Sequence, residues 1–127
     1  MSRVSVLIVD DDIALVTLYK AVLKRHLPAM RVEATNDPSN ALIMLRQEGP
    51  FDLVLTDLAM PGLRGEEFIN RIRAGDTEGD AGTPRDVAVG CVATLPPPDD
   101  RDFAFFLRKP FGIEQLVEIV SLQVGSA

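Results

Sequence analysis

Tryptophan is absent from this 127-residue chain, and cysteine, histidine and tyrosine occur once each. With Cys91 alone, neither a disulfide nor a cysteine-based metal site can form within one chain, and its apolar neighbours read it as a small buried hydrophobe. The one histidine, His26, stands near the end of a helical pattern, where a cation is mildly favoured, and nothing beside it points to catalysis. No apolar run approaches the ~20 residues of a bilayer-spanning helix, and Met1-Ser2-Arg3 leads straight into a strand pattern, so no signal peptide is predicted. Positive charge is also in short supply: 13 Lys and Arg against 19 Asp and Glu leave a net charge of −6. That balance argues against a DNA- or RNA-binding surface. A cytoplasmic protein without membrane or nucleic-acid partners is the expectation.

What is present is a regular alternation of strand and helix signals. The stretch from Phe51 to Gly65 organises it: Leu53, Val54 and Leu55 form a short branched run suited to a strand buried on both faces, ending at Asp57. Met60-Pro61-Gly62 then turns the chain. Before it, Val4 to Val9 reads as a first buried strand running into Asp10-Asp11-Asp12, and Asp12 is a fitting cap for a helix reaching about Leu27. Arg31 to Thr35 reads as an edge strand, and Asp37-Pro38 opens a second helix that Gly49-Pro50 closes. After it come a third helix from about Glu66 to Ala74, a mobile surface loop from Gly75 to Asp86, and a fourth strand from Val87 to Thr94, whose small residues suit close helix packing. A fifth strand follows from Phe103 to Arg108, and a last helix from about Ile113 to Val124. This order predicts one domain over 1–127: an α/β, flavodoxin-like, doubly wound sheet of five parallel strands in the order 2-1-3-4-5.

In that topology Asp10 and Asp11 at the end of the first strand meet Asp57 at the end of the third. Three unpaired carboxylates so close repel one another, and a hard divalent cation relieves the repulsion; Mg²⁺ takes oxygen ligands and commonly joins carboxylates to a phosphate. Lys109 ends the fifth strand and can reach over the same face, its backbone held extended by Pro110. Thr94, ending the fourth, can offer a hydroxyl to an anion.

The runs V-L-I-V-D-D-D, D-L-V-L-T-D-L-A-M-P-G-L-R-G and K-P-F, in this order and at strand ends, make the chain from Val4 to about Val124 resemble the receiver domain of two-component response regulators. The resemblance implies that Asp57 is the phosphoacceptor, taking a phosphoryl group from a phosphohistidine of a sensor histidine kinase. It implies that Asp10, Asp11 and Asp57 hold Mg²⁺ together with the Ala59 backbone carbonyl. It also implies that Lys109 pairs with the phosphoryl oxygens, that Thr94 is the switch hydroxyl, and that Phe106 is the switch aromatic. Such a domain is a phosphoacceptor that catalyses its own phosphotransfer and dephosphorylation, and is not an enzyme with a separate substrate.

One region departs from the pattern. Thr94 and Lys109 are only fifteen positions apart, and the gap begins Leu95-Pro96-Pro97-Pro98-Asp99-Asp100. A parallel crossover normally takes a dozen or more residues, so the fourth helix is expected to be missing or very short. Phe103, Phe105 and Phe106 would then supply apolar surface beside the fourth and fifth strands, open to a downstream protein, a phosphotransfer partner or a second copy. Either Thr94 or Ala93 stands at the hydroxyl position, and Arg64 beside the site reads as plain surface. Two other readings stay open: a receiver-like scaffold that binds a partner constitutively without switching, and an aspartyl phosphatase, which Ala59 two residues after Asp57 disfavours.

Overall fold

The computed structural model describes residues 3–58, 65–97 and 103–124. Five parallel strands form one sheet: β1 (Ser5–Val9), β2 (Arg31–Thr35), β3 (Leu53–Asp57), β4 (Ala88–Ala93) and β5 (Phe105–Arg108). Their order is β2-β1-β3-β4-β5, with β2 at one edge as expected. Four helices are described: α1 (Ile13–His26), α2 (Pro38–Gln47), α3 (Gly65–Arg73) and α4 (Ile113–Gln123).

The helix ends follow local chemistry. Asp12 caps α1, its Oδ1 accepting from the backbone N–H of Ala14 at 3.0 Å and of Leu15 at 3.3 Å. Asp37 caps α2 by accepting from Ser39 N at 2.9 Å, and Pro38 fits the first turn because no partner is needed for its missing N–H. Gln115 Oε1 accepts from Gly112 N at 2.8 Å and closes the start of α4.

Every residue of β1 and β3 is buried. Both faces of a parallel sheet are covered, so alternate residues feed two separate cores. On one side Val6, Ile8, Leu53, Leu55, Val92 and Leu107 pack against α1 and α4. On the other, Leu7, Val9, Val54 and Val89 pack against α2 and α3.

Two expectations need correction. The stretch from Gly75 to Asp86 is not a loose surface loop: Thr77 and Thr83 within it are fully buried. Thr83 Oγ1 donates to Leu45 O at 2.8 Å and accepts from Phe51 N at 3.1 Å, while Thr77 Oγ1 donates to Thr83 O at 2.8 Å. The small residues of the segment hid two buried hydroxyls: that of Thr83 satisfies backbone groups at the end of α2 and just before β3, and that of Thr77 holds Thr83 in place.

The second concerns the phenylalanines and the small residues of β4. Gly90 lies opposite Phe105 in the β4–β5 register, and a Cβ on Gly90 would collide with the Phe105 ring. The small residue therefore admits a ring from the neighbouring strand, not a helix. Phe105 packs with the α1/α4 core and Phe103 with the α2/α3 core, and all three rings are half-buried. Strand alternation turns Phe106 away from Phe105 and toward the α2/α3 side.

The connection from β4 to β5 is eleven residues long, 94–104, leaving room for a short helix at most. Its described part, 94–97 and 103–104, is not helical.

Thr83→Val keeps the shape but leaves Phe51 N and Leu45 O unpaired, and should cost about 1–3 kcal/mol in denaturant unfolding. Gly90→Ala forces the Phe105 ring aside, with an expected loss of about 1–3 kcal/mol in the same measurement.

Candidate functional site

The carboxyl ends of β1, β3 and β5 carry the charged groups that the sequence singled out. Asp10 follows β1 and is 2% exposed; Asp57 ends β3 and is 8% exposed; Asp11 stands in the open. One carboxylate oxygen from each of the three lies within 4.8 Å of the others. Lys109, directly after β5, donates Nζ to Asp10 Oδ2 at 2.9 Å and to Asp57 Oδ2 at 3.3 Å. The backbone N–H of Asp12 donates to Asp10 Oδ1 at 3.0 Å.

The electrostatics of this cluster follow from burial. Loss of water raises the Asp10 carboxyl above its usual range, against the Asp12 N–H and the Lys109 ammonium, which favour the charged form; the Asp57 charge adds to the rise. For Lys109, burial pulls the ammonium down, but its bond to Asp10 and the charges of Asp10 and Asp57 outweigh that, and the net shift is upward. The donor set is three hard carboxylate oxygens, one of them open to solvent, which is the chemistry that suits Mg²⁺. Ala59 and Arg64 lie outside the described residues.

β5 brings Lys109 to the site because its backbone is tied to β4: Lys109 N donates to Ala93 O at 2.9 Å. The Lys109–Pro110 peptide bond is cis. Beyond it Phe111 meets Tyr19 of α1, ring centroids 5.4 Å apart and planes tilted by 33°. Tyr19 also walls the site, lining a small cavity together with Asp10 and Asp57, and burial raises its phenol above the usual value.

A cleft of about 430 Å³ opens beside Asp57, bounded by Glu66, Ala93, Thr94, Leu95 and Lys109. Ala93 is the last, buried residue of β4; Thr94 is the first exposed residue after it, and both line this cleft. Glu66 was read from the sequence only as the start of a helix. His26 ends α1, with Nδ1 3.0 Å from Val22 O, and takes no part in the cluster.

A model of the response regulator receiver domain matches residues 6–83. The chain belongs to that family. Among curated relatives, the transcriptional regulatory protein TrcR of Mycobacterium tuberculosis is 33% identical over 122 residues, covering 91% of this chain and 43% of that protein. Chemotaxis protein CheY-3 of Vibrio cholerae is 37% identical over 74 residues, 58% of this chain and 55% of that one. The receiver domain thus spans about half, or less, of these relatives. Among solved structures, the receiver domain of the Pseudomonas aeruginosa sensor histidine kinase PA1611, with magnesium coordinated in its active-site cleft, aligns with a TM-score of 0.77 at 25% identity, covering 98% of this chain and 99% of that one. A CheY-like receiver domain from Methanospirillum hungatei shares the fold, with a TM-score of 0.80 at 23% identity over 96% and 94% of the two chains. No described helix is long and apolar enough to cross a membrane.

Cys91 lies on β4 near this receiver site, but burial, with the charges of Asp57 and Glu66 added, pushes its thiol up to about 12. At pH 8 only about one molecule in ten thousand would carry the thiolate. A disulfide reagent at that pH should therefore leave the native protein unlabelled and titrate one thiol after denaturation; prompt native labelling would contradict the burial.

Proposed function

We propose that this receiver domain accepts a phosphoryl group on Asp57 from the phosphohistidine of a sensor histidine kinase. An Asp57 oxygen forms the new bond to phosphorus as the bond to the imidazole nitrogen breaks, and the freed imidazole takes up a proton. Catalysis of this kind is mostly positioning together with cationic charge on the equatorial oxygens. Asp10, Asp11 and Asp57 would hold Mg²⁺, with the Ala59 carbonyl as a further ligand, and the ion would supply charge neutralisation at those oxygens. The observation that carries this reading is the convergence of Lys109 Nζ and three carboxylates on one strand-end cluster.

Phosphorylation adds roughly −2 charge beside Lys109 and competes with Asp10 for its ammonium. Lys109 is tied through its own N–H to the end of β4, where Ala93 and Thr94 line the cleft. A shift of that ammonium is felt first at the end of β4 and along β5, where Phe106 is half-buried. The response is read there by a downstream protein, a phosphotransfer partner or a second copy of the chain, with the domain catalysing only its own phosphotransfer and dephosphorylation.

With acetyl phosphate and Mg²⁺, the chain should gain one phosphoryl group by intact-mass measurement, and chelation of the metal should prevent it. Asp57→Asn should abolish the gain while leaving the circular dichroism spectrum unchanged. Uptake by that variant at the same rate would remove Asp57 from its role.

A further inference from the structure

We propose that Glu66 sets the lifetime of the phosphoryl group on Asp57, its carboxylate holding and deprotonating the water that hydrolyses the acyl phosphate. The inference rests on the phosphoacceptor reading and adds to it a residue outside the metal and lysine cluster.

Glu66 is held where this requires. α3 returns along the sheet beside β4. At its far end Arg73 Nη1 donates to Arg85 O and Val87 O, each at 2.7 Å, which ties that end to the start of β4. Residues three and four apart on a helix share a face, so Glu66, Ile69 and Arg73 form the stripe turned toward β4. Ile69 in the middle is buried, and Glu66 at the near end reaches the cleft beside Ala93 and Thr94. Its anchor is rigid: Gly65 N donates to Leu58 O at 3.2 Å, and Gly65 packs so closely on Leu58 that a Cβ there would collide with it. The first turn of α3 is thereby fixed against the residue that follows Asp57.

Glu66 is exposed, and it makes no hydrogen bond or ion pair among the described residues. Glu66 thus lines the same cleft as Asp57 without a partner of its own among the described residues.

The chemistry balances without a further reagent. The water oxygen bonds to phosphorus, the bond from phosphorus to the Asp57 oxygen breaks, Asp57 leaves as a carboxylate, and the water proton passes to Glu66; the product is inorganic phosphate. A second carboxylate close to a group of roughly −2 charge also repels it, which acts in the same direction and shortens the lifetime.

The test loads the full chain with labelled acetyl phosphate and Mg²⁺, removes the donor, and follows loss of label. Glu66→Gln and Glu66→Ala should still take up the label and should retain it about tenfold longer or more, as expected on losing a general base. A structural role would change uptake and loss together. An unchanged or shortened half-life in either variant overturns the inference, and so does failure of the variants to load, since Glu66 would then act in uptake. No uptake by the unsubstituted chain would instead overturn the phosphoacceptor reading, and this inference with it.

Discussion

Asp10 and Asp57 are both nearly removed from water and only a few ångströms apart, and the Lys109 ammonium bonds to both. Removing one partner from a buried charged cluster leaves an uncompensated charge, which costs far more than the cluster contributes as a whole. The constraint propagates outward. Asp10 and Asp57 are placed by two central strands buried on both faces, and Lys109 by an edge strand of four residues. The sheet order therefore serves the charge cluster: β1 and β3 lie side by side, and β5 lies beyond β4, so that a long ammonium reaches back across the strand tips.

Most of this was legible in the sequence for a simple reason. A strand buried on both faces reads as a continuous apolar run, and a carboxylate at its end marks the boundary, as Asp10 does after Val9 and Asp57 does after Thr56. The caps Asp12 and Asp37 declared their helices in the same local way. What escaped was non-local. Thr77 and Thr83 are ordinary polar residues in a stretch rich in glycine and aspartate; the distant partners of Thr83, Leu45 and Phe51, turn it into a pin, and Thr77 is buried beneath it. The inward role of Gly90 required knowing that Phe105 lies opposite it, which register decides and composition does not. Glu66 belongs with these, because a glutamate in a first helical turn is most simply read as favouring the helix dipole.

The family model ends at residue 83, and the structure gives that boundary a physical sense. Up to that point the chain builds both carboxylate-bearing strands and the helices α1, α2 and α3, leaving α4 to complete the cover on the α1 side. Beyond it come β4, a connection of eleven residues and β5, which deliver Lys109 by a shorter route. The acids of the cluster thus come from the first third and the middle of the chain, while the last third supplies the ammonium and the half-buried phenylalanines.

The ring of Phe105 lying over Gly90 bears on how the edge strand is set. A crossover helix normally helps to seat the edge strand that follows it. Here the edge strand carries a latch of its own, a ring lodged in a notch of its neighbour, which fixes the register of β5 and so sets the lysine at its tip over the carboxylates.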